Sequence, residues 1–139
     1  MKELTAQNLR VGNYIQLNQK WFERNPNLSN TPKINIVKDI SFDIALGEHA
    51  INSYSMCYLK PIPLTEQWLI DFGFEKINHI GGYSFYSIIR NGKNKKDIPN
   101  INIYESYTTI GNNSMCKHLE YVHQLQNLFF CLTGKELTK

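Results

Sequence analysis

The stretch KHLEYVHQLQNLFFCLT, Lys117 to Thr133, decides how the fold is read. Its apolar residues fall at Leu119, Val122, Leu125, Phe129 and Leu132, in steps of 3, 3, 4 and 3. With 3.6 residues per turn, that spacing gathers them on one side of an α-helix. Tyr121 and Leu128 widen the stripe, while Lys117, Glu120, Gln124 and Asn127 fall on the other side. Gly134 ends the helix. A helix of about 16 residues would be ~24 Å long, enough to cross a small sheet and close its core.

Working back from this helix, the periods become those of strands. Ile101 and Ile103 alternate with Asn102 and Tyr104, and Tyr107 to Ile110 extends or follows them. Tyr83 to Arg90 and Lys76 to Ile80 are further strands, with Gly81-Gly82 as the turn between them. Asn91-Gly92 is the strongest hairpin signal, in a loop lengthened by Lys93 to Asp97. Pro61 to Leu64 leads extended into a short helix. Thr65 is its N-cap, Trp68, Leu69 and Phe72 its buried face, and Gly73 its stop. Tyr54 to Leu59 is another strand candidate. Ile34, Ile36, Ile40, Phe42 and Ile44 share even positions and predict one long strand, or two with a bulge near Val37. Tyr14 to Leu17 is a short strand with Gln19 to Arg24 as its hairpin partner, and Thr5 caps a single turn from Ala6 to Leu9.

The expected class is α+β. Small antiparallel sheets or a partly open barrel carry one short central helix and a long C-terminal helix packed on the sheet. A length of 139 residues fits one domain, 1–139, with an N-terminal β lobe 1–60 and a C-terminal α+β lobe 61–139 as the alternative.

Hydrophobic residues make up 42% of the chain, enough for a packed core. The net charge of +3 is too small to mark a strong nucleic-acid binder. Cys57, Cys116 and Cys131 are odd in number without CxxC spacing, which predicts reduced thiols. Cys131 is expected on the last helix as a small hydrophobe. Met1 to Thr5 lacks an apolar signal-peptide core, and no apolar run reaches the ~18 residues of a membrane span. A cytoplasmic protein with no membrane partner is expected.

Three blocks resemble a known family: Leu9-Arg10-Val11-Gly12-Asn13-Tyr14-Ile15, then Pro61 to Leu69 with Gly73-Phe74, then Leu119 to Leu128 with Thr133 to Leu137. They are similar to small proteins of unknown function carried by phages and prophages of Bacteroidetes. The resemblance implies an accessory protein acting in the host cell by binding. It would sequester a host signal, occlude a host protein or coat nucleic acid.

No catalytic or metal set stands out. His118 and His123, five apart, would lie about 140° apart on a helix and could not share a metal. His49 and His79 fall in or near loops. Cys116 with His118 is the one nucleophile candidate, since a cysteine at a helix start is activated, but no third group orients the pair. Asp39 and Asp43 read more simply as solvated charges opposite the isoleucines. Gly81-Gly82 is a turn and not a phosphate loop.

Two clusters remain as ligand-binding candidates. Arg90, Lys93, Lys95 and Lys96 lie beside Tyr83 and Tyr104, and Trp21 with Arg24 makes a weaker group. Cations beside aromatic platforms are what a nucleotide or stacked bases need. The plainer reading is a solvated hairpin tip over core aromatics. The expected function is therefore non-enzymatic binding without a cofactor. The partner is a host protein or a small nucleotide, such as a signal of anti-phage defence. A nucleic-acid-binding accessory protein is the alternative, and a phosphodiesterase or cysteine hydrolase using Cys116 and Asp43 the third reading. A homodimer through the Trp21/Phe22 region or the last helix is open.

Overall fold

Asn18 sets the first departure from the strand pattern. It sits in extended backbone, and its side-chain oxygen accepts from the Trp21 N–H at 3.2 Å. Its amide also donates to the Cys57 carbonyl at 2.7 Å. Capping of this kind starts a helix, so residues 19–24 are helical and not the expected hairpin strand. Asn18→Ala is expected to cost about 1–2 kcal/mol in thermal or urea unfolding.

The computed structural model describes residues 8–40, 44–46, 52–54, 56–88, 100–111 and 114–139. The expected turn capped by Thr5 lies largely outside them. The chain divides into two compact units, 1–63 with 121–127 and 64–120 with 128–139.

In the first unit, β1 (Tyr14–Leu17), α1 (Gln19–Arg24), β2 (Ile34–Ile40), β3 (Ile44–Leu46), β4 (Asn52–Tyr54) and β5 (Leu59–Lys60) follow one another. The strands form an antiparallel sheet in the order β4-β3-β2-β1-β5. Its core is Leu9, Ile15, Leu17, Trp21, Val37 and Leu59, with Phe22, Ile40 and Tyr58 packed against it. The even-numbered isoleucines do not define this core, since Ile34 is exposed while Val37 is buried. The expected bulge explains the change of parity. Val37 pairs with Leu46 but Asp39 with Ala45, so one extra residue lies between them. Val37 and Ile40 thereby both reach the core.

In the second unit, α2 (Glu66–Asp71) precedes β6 (Phe74–Asn78), β7 (Ser84–Ile88), β8 (Ile101–Ile103), β9 (Tyr107–Ile110) and β10 (Ser114–Lys117). These strands form an antiparallel sheet in the order β10-β9-β8-β7-β6, each beside its neighbour in sequence. Helix α2 follows the expected pattern. Thr65 is its N-cap, and Trp68, Leu69 and Phe72 are buried. Gly73 turns the chain at φ +83°, a conformation only glycine adopts without cost. Lys139 closes on this helix, pairing with Asp71 at 2.7 Å and lying 3.5 Å from the Trp68 ring centroid.

Helix α3 (Val122–Thr133) is shorter than expected, at 12 residues. Its first half belongs to the first unit and its second half to the second. Residues 114–117 are β10, paired with β9 through Cys116↔Thr108 and Lys117↔Tyr107. Backbone pairing delays the helix. The Leu64 N–H donates to the Glu120 carbonyl, and the Val122 N–H to that of Ile62. The Tyr121 N–H is capped by the Gln124 side chain at 3.1 Å. Val122, Leu125 and Phe129 are buried as the stripe requires, and Leu119 is half-buried outside the helix. Gln126 and His123 are buried too, and Asn127 is half-buried and hydrogen-bonded, so this helix has a polar seam that the stripe did not reveal. Cys131 is exposed and does not pack as a hydrophobe. Among the described residues, no helix is long and apolar enough to cross a membrane.

Candidate functional site: an aromatic cleft in the second unit

Antiparallel pairing in the second unit sets Lys76 opposite Tyr86, and Tyr86 opposite Ile103. Directly opposed residues share a sheet face, so these three form a row. Two tight turns rise at the end of that row. One closes through the His79 N–H to the Tyr83 carbonyl at 2.9 Å, the other through the Tyr104 N–H to the Tyr107 carbonyl at 2.9 Å. Between these turns and the start of α2 lies a cleft of about 770 Å³. That volume suits a small organic ligand.

Its aromatic residues are arranged in stacks. Tyr83 lies on His79 at 4.6 Å between ring centroids, 10° from parallel. Half of its surface is exposed, which leaves a ring face open. Gly81 lies against this stack, where a Cβ would touch the Tyr83 ring at 3.4 Å, an ordinary contact distance. Tyr104 stacks with Phe85 at 4.9 Å and with Tyr107 at 4.4 Å. Burial, then the nearby hydroxyls of Tyr107 and Tyr83, push the Tyr104 phenol above its ordinary pKa. Tyr83, Tyr104 and Tyr107 all line the cleft.

The charged lining is tied together. The Lys76 ammonium lies 3.4 Å from the Glu66 carboxylate. Hydrogen bonds from Tyr86 and then Lys76 hold the Glu66 carboxyl below its usual pKa. Hydrogen bonds with Tyr86 and then Glu66 raise that of Lys76. Burial first, then Glu66, raises that of Tyr86. Glu105, His118 and the hydroxyl residues Thr65, Ser84 and Ser106 add further polar groups to the lining. The His118 Nδ1 is enclosed and has no hydrogen-bond partner among the described residues.

The expected site residues separate on this frame. Tyr83 and Tyr104 both line the cleft. Arg90, Lys93, Lys95 and Lys96 lie outside the described residues, as do Asp43 and His49. Trp21 is a core residue, packed edge-on against Phe22 with ring centroids 5.0 Å apart, and offers no open face. Arg24 donates to the Tyr58 hydroxyl and lies over its ring. Cys116 lies in β10 and not at a helix start, which removes the dipole on which its reading as a nucleophile drew. His118 precedes α3, so it and His123 do not share a helix. Among the described residues, no three of His, Cys, Asp and Glu are placed to hold a metal.

Lys76, Glu66 and Tyr107 escaped the sequence reading because only strand register brings them together. The pair of tyrosines three apart in Tyr104-Glu105-Ser106-Tyr107 was the available signal. Comparisons with protein-family models, curated proteins and solved structures gave no match.

Proposed function

We propose that the chain is a non-enzymatic binding protein that sequesters a ring-bearing small molecule, a host signal of the nucleotide type, in the cleft of its second unit. The observation carrying this reading is the convergence of Tyr83, Tyr104 and Tyr107 on a cleft of about 770 Å³. A flat heterocycle can stack on the open face of Tyr83 while the neighbouring hydroxyls bond its edge. The phage-like sequence blocks support a role as an accessory protein in a host cytoplasm.

A thermal-shift screen with nucleosides and nucleotides tests the reading. A ligand at 100 times its dissociation constant is expected to stabilise the fold by about 2.7 kcal/mol. Tyr83→Ala removes an exposed ring and is expected to weaken binding about tenfold without unfolding the protein. Absence of any shift across the screen would remove the small-molecule reading.

A further inference from the structure

We infer that the cleft receives the base-and-sugar end of its ligand and leaves any phosphate outside, so that the moiety it recognises is a nucleoside. The inference rests on the binding reading above and specifies which end of the ligand enters.

The sign of the lining charge is the first ground. Among the described residues, Lys76 is the one lysine or arginine in the lining, against the carboxylates of Glu66 and Glu105. Lys76 is moreover engaged by Glu66 at 3.4 Å, and its ammonium lies 5.6 Å from the Tyr86 ring centroid. Among the described residues, a phosphate entering here would face two carboxylates and one ammonium, and would have to displace an ion pair. Helix α2 offers no compensating anion site, because it has only 6 residues.

The hydrogen-bonding inventory is the second ground. Carboxylates accept, and tyrosine hydroxyls both donate and accept. The Thr65 side chain caps no backbone amide of α2, so its hydroxyl is also available at the rim. Ring amines and sugar hydroxyls are donors that match these groups. Tyr83 supplies the stacking face, with His79 backing it at 4.6 Å.

Titration calorimetry with each of the common nucleosides and its 5′-monophosphate decides the matter. The nucleoside is expected to bind at least as tightly as its monophosphate, or within about threefold of it, with little dependence on salt. Glu105→Lys, a change in an exposed turn, is expected to shift preference toward the monophosphate about tenfold. A monophosphate that binds more than about threefold tighter to the unaltered protein, or an unshifted preference in Glu105→Lys, overturns the inference and leaves the binding reading intact. Failure of every nucleoside and monophosphate to bind overturns both.

Discussion

Gln126→Leu is expected to destabilise the protein by about 2–5 kcal/mol. Gln126 is completely buried in α3. Its side-chain oxygen accepts from the Tyr14 N–H at 2.8 Å, and its amide donates to the Gly12 carbonyl at 3.1 Å. Beside it, buried Asn13 accepts from the Arg10 N–H at 2.8 Å and donates to the Asn127 side-chain oxygen at 2.9 Å. Asn127 in turn donates to the Asn8 carbonyl at 3.0 Å. The first half of α3 is therefore fastened to the start of β1 by side-chain amides as well as apolar contact. Leucine nearly fills the same volume, so cavity formation is minor. The cost comes from taking these partners from the Tyr14 amide and the Gly12 carbonyl, both in half-buried residues, about 1–3 kcal/mol each. Urea unfolding is expected to show a lower midpoint with an unchanged slope. Gln67→Leu, at an exposed position of α2, serves as the control and should stay within about 0.5 kcal/mol.

Stability is expected to fall by about 3 kcal/mol between pH 7 and pH 4, with His123 as the source. The ring is 4% exposed, lies 5.8 Å from that of Tyr121, and its Nδ1 has no partner among the described residues. Burial lowers its pKa from 6.5 to about 4. The unfolded chain takes up this proton near pH 6.5, whereas the folded chain does so only near pH 4. Stability is thus complete above the unfolded value and drains away as pH falls toward the folded one. Each tenfold change in proton affinity counts about 1.4 kcal/mol. The carboxylates of Glu66 and Asp71 have pKa values lowered from 4.5 and 3.8, so their contributions begin to drain away only as pH falls through those values. His123→Phe is expected to flatten the curve between pH 6.5 and pH 4. A wild-type curve already flat there would show that His123 takes up its proton in the folded state.

Local chemistry explains which parts of the fold were legible. Helix α2 was readable because Thr65, Trp68, Leu69, Phe72 and Gly73 act within two turns. The hairpin around Gly81-Gly82 was readable because strand period and turn residues agree, whereas the tight turn from Tyr104 to Tyr107 carries no glycine or proline and was not. The helix of Gln19–Arg24 was missed because its aromatic pair looks like a strand, while the deciding bond comes from Asn18 one position earlier. The start of α3 was misplaced because residues 118–121 have helical spacing, but the backbone of Glu120 and Val122 bonds to Leu64 and Ile62, far away in sequence. Such pairings leave no mark in a local window. The same holds for the cleft. Tyr83 and Tyr104 were visible as aromatic residues beside the basic stretch of Arg90 to Lys96. Their meeting with Lys76, Glu66 and His118 depends on sheet register and chain return.

The central claim is that the second unit binds a flat ligand through its tyrosines. NMR of protein labelled on its tyrosine rings, followed during a nucleoside titration, tests it most directly. The ring signals of Tyr83, Tyr104 and Tyr107 should move together and saturably, while those of Tyr14 and Tyr58 in the first unit stay in place. Movement centred on Tyr14 and Tyr58, or no movement at any tyrosine, would contradict the account.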